Sequence, residues 1–136
     1  MNLKELMVES KSAWVEFPGL EGFEIEIVNL GREKLIEMRK SCMHERFDRK
    51  TRLPISELDE KKFVKVFTKE SVKNWKGFKL SDLEQIMLTD IGDADPEAEL
   101  PFSEENAVLL VTNSPDFDNW LNDAVFDLSN FRSKRD

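Results

Sequence analysis

The sequence predicts an α+β fold, mainly helical, with an N-terminal antiparallel β-hairpin packed on about five helices. Three observations predict it. Apolar and polar residues alternate between residues 12 and 28, the period of a half-buried strand. From Gly31 onward the apolar residues recur at helical spacing instead. Capping residues then mark successive helix starts at Asp59, Ser81, Ser103 and Ser114. A chain of 136 residues is the size of one domain and can bury roughly 68% of its unfolded surface, enough for a core without staples. Residues 1–136 therefore read as a single domain, with 1–9 and 132–136 expected to fray.

In the hairpin, Ala13, Val15 and Phe17 alternate with Ser12, Trp14 and Glu16. After a Pro18-Gly19 turn signal, Phe23, Ile25 and Ile27 alternate with Glu24 and Glu26. One face is apolar and the other charged; an isolated hairpin is marginal in water, so the apolar face must dock. Leu35, Ile36, Met38, Cys42 and Met43 predict a helix over residues 32–46, with Asn29 in its cap region. Residues 48–56 are polar, basic and interrupted by Pro54, hence a loop. Asp59 caps the next helix, with Phe63, Val64, Val66, Phe67 and Val72 apolar. Ser81-Asp82-Leu83-Glu84 has the capping-box pattern and opens a short helix bearing Leu83, Ile86, Met87 and Leu88. Residues 90–99 form an acidic loop broken by Gly92 and Pro96. Ser103 caps a helix with Ala107, Val108, Leu110 and Val111, and Ser114-Pro115 starts the last one. There Phe117, Trp120, Leu121, Ala124, Val125 and Leu128 make a single stripe, extended by Phe131, while Phe126 lies off it.

Charge is strongly polarised. Ser81 to Phe131 contains thirteen Asp and Glu and no Lys or Arg. Residues 1–80 hold seventeen basic and fourteen acidic side chains, net +3; residues 81–136 hold three and fourteen, net −11. One strongly acidic surface is expected, drawn to basic partners and repelled by nucleic acid and anionic membranes. The single cysteine, Cys42, forms no internal disulfide, so a reducing compartment is expected. The first residues carry no signal-peptide pattern, and no stretch approaches the roughly 20 apolar residues of a membrane helix. A soluble intracellular protein is expected. Ten Phe and three Trp without Tyr argue for a packed core and an aromatic contact surface.

No pattern of reaction chemistry stands out. Cys42 and His44 lack further Cys or His to complete a zinc shell, and two residues apart on a helix they share no face. A packed Cys and a surface His is the better reading, and the same geometry speaks against a nucleophile pair. Asp90, Asp93, Asp95, Glu97 and Glu99 lack the ligand spacing of a calcium loop. No carboxylate pair is singled out for acid–base work. Arg46, Arg49, Lys50, Arg52, Lys61, Lys62 and Lys65 form a basic cluster, read as a solvated face or as an internal mate for the acidic half. A net charge of −8 argues against phosphate binding. No catalytic, cofactor or metal residue is assigned, and a non-enzyme is expected.

The second half carries a recognisable order of segments. Val72-Lys73-Asn74-Trp75-Lys76-Gly77-Phe78 precedes the loop, and Leu100-Pro101-Phe102-Ser103-Glu104-Glu105-Asn106 follows it. Then come Phe117, Trp120-Leu121 and Leu128-Ser129-Asn130-Phe131. This resembles the tail assembly chaperones of long-tailed bacteriophages. The N-terminal ribbon, the helix at 31–47 and the Asp48-Arg49-Lys50-Thr51 loop fit too, so the resemblance covers residues 10–135. It implies a binding function in the host cytoplasm and absence from the mature virion. The client would be the helix-rich tape measure protein, coated and kept soluble until tail tube subunits polymerise around it. A longer frameshifted form would recruit the tail tube protein, and Ser133-Lys134-Arg135-Asp136 would lie near the shift. Coating an elongated client needs many copies, so self-association is expected.

A helical groove with aromatic anchors and an acidic rim suits such a client. The candidate contacts are Trp14, Trp75, Phe78, Phe102, Trp120 and Phe126. Phe126 leads because it lies off the core stripe, and Trp14 because it shares the hairpin's charged face. Trp120 on the stripe reads as core, and Trp75 with Gly77 as a packed turn. The rival reading is an acidic nucleic-acid mimic that inhibits a host protein. Against it, the carboxylates fall at helix starts and loops, where capping puts them. A structural tail or connector protein is a third reading.

Overall fold

The alternation of residues 12–28 is realised as an antiparallel pair, β1 (Ser12–Glu16) and β2 (Glu24–Val28). Ala13 stands opposite Ile27 and Val15 opposite Ile25, which collects the apolar side chains on one face. The computed structural model describes residues 1–8 and 10–132; the tail Ser133-Lys134-Arg135-Asp136 lies outside them. Within 1–9, expected to fray, a single helical turn α1 (Leu3–Leu6) forms under an Asn2 cap, with all its residues exposed.

A third strand, β5 (Val72–Lys76), pairs antiparallel with β2 and completes the sheet β1-β2-β5. Val72, expected on the helix that Asp59 caps, opens this strand instead, although Val72 and Trp75 are three apart, as on a helix face. A bulge resolves this. Asn74 pairs with Glu26 and Val72 with Ile27, so Lys73 is extra and Val72 and Trp75 both turn inward.

The helix expected over 32–46 stops early. α2 covers Arg32–Ser41, and its N-cap is Gly31 rather than Asn29. The Asn29 side chain instead donates to Val125 O at 2.9 Å, tying β2 to the end of the last helix. Residues 43–58 become a second hairpin, β3 (Met43–Phe47) with β4 (Pro54–Leu58); the expected loop survives as its turn over residues 48–53, and only its last three residues join β4. Met43 and Phe47 are four apart and mimic a helix, but cross-strand pairing wins. The His44 and Arg46 side chains both reach Glu57, and Pro54 sits at a strand start, where its missing N–H costs no ladder bond.

α3 (Glu60–Ser71) starts under the Asp59 carboxylate, which accepts the Lys62 N–H at 3.1 Å as expected. α4 (Leu80–Ile86) starts one residue before Ser81. Its cap position is Lys79, whose N–H is accepted by Asp82 at 3.2 Å, so the expected Ser81/Glu84 box does not form. Leu88, expected on its apolar face, is fully exposed. α5 (Glu104–Asn113) and α6 (Pro115–Ala124) start where Ser103 and Ser114 put them, each hydroxyl accepting a backbone N–H at 3.0 and 3.2 Å. α6 ends at Ala124, so Leu128 leaves the stripe for an exposed 3-10 turn, Leu128–Asn130, while Phe131 is buried.

The apolar sheet face, α3, α5 and α6 enclose one core centred on Phe23, Phe78 and Phe117. The Phe23 and Phe78 rings stack at 4.0 Å. Gly77 (φ +68°) makes that stack reachable: a β-carbon there would lie 2.0 Å from Gly22 O, so only glycine fits. No described helix is long and apolar enough to cross a membrane.

Candidate functional site

The wide apolar stripe of α3 serves two purposes. Phe67 turns into the core, while Phe63 and Val64 stay half-buried. Together with Leu58 at the end of β4 and Val111 of α5, they line a groove of about 260 Å³. Glu60, Asp118 and Asn122 form its polar rim. Arg39 lies 5.8 Å from the centre of the Phe63 ring and holds it in place. The floor is apolar and the rim anionic, a combination that suits an apolar helix face flanked by cations.

Phe126 adjoins this groove. It is 43% exposed, and its ring lies 6.5 Å from that of Phe67. The chain has just left α6 there, which is why Phe126 points away from the buried Val125. Next to it the Asp127 carboxyl is held below the usual carboxylate range, first by the Ser129 hydroxyl, which donates at 2.6 Å, and then by the Ser129 N–H at 3.0 Å.

The other expected contacts divide. Trp14 is 41% exposed on the charged face of the sheet, where the Lys76 ammonium sits 4.6 Å above its ring and also reaches Glu24 at 3.3 Å. Neither Trp14 nor Lys76 lines the groove. Trp75 and Phe78 are corrections: at 5% and 0% exposure they belong to the core. Trp75 uses its indole N–H to hold Leu100 O at 2.9 Å and meets the Phe23 and Phe102 rings in T-shaped contacts, so its ring and its polar edge are both engaged within the molecule. Phe102 is half-buried against Trp75, edge to face at 5.1 Å. Trp120 is half-buried against Phe17 and Phe117. It lines a second cavity, of about 340 Å³, with Phe17, Leu20, Ile86 and Asp116.

Sequence reasoning missed Phe63, Val64 and Leu58 as site residues. The signal was there in α3: four apolar residues within five positions, 63–67, span more of a helix than one core contact needs. Cys42 is buried at the end of α2, and the exposed His44 lies on a strand 3.8 Å from Glu57. Among the described residues no three His, Cys, Asp or Glu side chains come together as a metal would require. No protein-family model matches this chain, and no curated protein or solved structure matches it.

Proposed function

We propose that this protein is a non-enzymatic assembly chaperone of the phage-tail type, which holds apolar helical segments of a tape measure protein in the groove between α3 and α6. The observation that carries the reading is the groove itself: an apolar floor of Phe63, Val64, Phe67 and Val111 beneath the acidic rim of Glu60 and Asp118. Phe126 extends the floor as a half-exposed aromatic anchor. An amphipathic client helix buries its stripe on that floor and sets flanking Lys or Arg against the rim. Recruitment of the tail tube protein through a frameshifted longer form belongs to the same proposal, as does residence in the host cytoplasm. The order of aromatic, Gly and Asn-Phe segments from Val72 to Phe131 supports it.

The acidic-mimic alternative is weaker, because many carboxylates of the acidic half are engaged in turns and caps. Asp90, Asp95 and Asp127 each accept a backbone N–H two residues ahead, and Asp82 caps α4. A mimic needs its carboxylates free and evenly spaced like phosphates. The deciding experiment is co-expression with a phage tape measure protein, scored for client solubility and copurification. A soluble, copurifying client supports the proposal. An insoluble, unbound client overturns it.

A further inference from the structure

We infer that the β3–β4 ribbon is an arm by which one copy of this chain docks on a second copy. Its tip seats against the cavity between the β1–β2 turn, α4 and α6. This inference does not rest on the tape measure reading, and it leaves the α3–α6 groove free.

The ribbon is weakly supported by the rest of the fold: no residue from Met43 to Leu58 is buried, and only Ile55, Glu57 and Leu58 of its strands are half-buried. Among the described residues β3 pairs only with β4, and all five residues of β3 are exposed. A two-stranded ribbon is marginal in water without an apolar face docked on something. Yet this one presents Met43, Phe47 and Leu53 to solvent, the last two at 62% exposure each.

Its tip is nonetheless shaped. The Asp48 carbonyl accepts the Arg52 N–H at 2.7 Å, the Asp48 N–H donates to Leu53 O at 3.0 Å, and the Asp48 carboxylate accepts the Lys50 N–H at 2.9 Å. Arg52 is held at φ +58°, a conformation that disfavours any side-chain-bearing residue. Arg49, Lys50 and Arg52 project from this turn and take part in no ion pair among the described residues. The arm is therefore a fixed cationic turn behind apolar side chains.

Its complement lies on the same chain. The cavity of about 340 Å³ has walls of Phe17, Leu20, Ile86 and Trp120 with Asp116 beside them. α4 and α6 belong to the stretch from Ser81 to Phe131 that contains no Lys or Arg. Apolar side chains of the arm match the walls, and its cations match the acidic surround. Nucleic acid is the other conceivable occupant of a cationic turn, but a net charge of −8 opposes a polyanion. Arm and cavity are different surfaces, so the contact is heterologous in character.

Sedimentation velocity over a concentration series, at low and high salt, tests the inference. The wild-type chain is expected to associate at low salt and to dissociate at high salt, where screening removes the charge match. Arg49→Glu/Lys50→Glu/Arg52→Glu is expected to weaken association about tenfold or more at low salt, and Phe47→Ser to weaken it there as well by removing apolar contact. The decisive mixture combines the reversed arm with Glu84→Lys/Gln85→Lys, two exposed positions on α4 that leave the Asp116 helix start intact. Association between the two variants is expected to return. Circular dichroism melts check folding, and Lys50→Glu alone replaces the triple variant should that melt early. A wild-type chain that is monomeric throughout, association indifferent to arm reversal, or an arm that binds duplex DNA or RNA while the chain stays monomeric overturns the inference. A monomeric chain that still solubilises the client leaves the proposed function standing, so the two fail separately.

Discussion

Gly77 is the residue on which the core closes. Its φ of +68° and the 2.0 Å that would separate a β-carbon from Gly22 O leave no room for a side chain. Gly77→Ala is expected to cost more than ~2 kcal/mol in a denaturant titration, because both backbone strain and a backbone clash oppose it. Thr68 is the opposite case. It is 1% exposed, and its hydroxyl has no hydrogen-bond partner among the described residues. Thr68→Val keeps the shape and removes the orphaned group, so the unfolding free energy from the same titration should rise by about 1 kcal/mol. Phe126 tests function at this scale. It is exposed beside the groove, so Phe126→Ala should weaken client binding more than it lowers the melting temperature, read by titration calorimetry alongside a thermal melt. Equal losses in both would return Phe126 to a packing role.

At the scale of elements, the acidic stretch 90–99 is a fastened loop. Leu80 and Ser81 donate to Ala98 O and Pro96 O at 2.9 and 3.0 Å, Leu100 donates to Phe78 O at 2.7 Å, and Lys79 meets Glu97 at 2.9 Å. That last pair raises the Lys79 pKa, first through its hydrogen bond to Glu97 and then through the Glu97 charge. The sign follows from linkage: a lysine whose folded-state pKa is raised contributes stability below its ordinary value and loses it as pH rises through the raised one. Solvent reaches both side chains of the pair, so the contribution is small. Glu97→Gln is expected to bring the Lys79 side-chain titration down toward the ordinary lysine range, followed by NMR. An unchanged titration would mean that solvent screening already cancels the pair.

For the whole molecule, the polarity of charge survives folding. Among the described residues two ion pairs join the halves, Lys69–Glu104 and Lys79–Glu97, and most carboxylates of the acidic half take part in no ion pair there. Capture of a cationic amphipathic client should therefore slow as salt rises, because steering between exposed charges is screened. Stopped-flow mixing with a client helix, using the arm-reversed variant to keep self-association out of the trace, measures this. A rate independent of salt would leave apolar contact as the sole driver.

Local chemistry in the sequence determined the N-terminal hairpin, the caps at Asp59, Ser103 and Ser114, the α6 stripe and the charge polarity. In each of these the signal and the structure it causes lie within a few neighbouring residues. Tertiary structure alone decided the rest. Lys73 becomes a bulge only because β2 is there to pair with, and Met43–Phe47 becomes a strand only because Pro54–Leu58 lies across from it. Both segments carry apolar residues three or four apart, which satisfy either period, so the partner chooses. The groove was hidden for the same reason. Phe63, Val64, Val111 and Asp118 come from three helices, and their joint surface exists only once α3, α5 and α6 have packed.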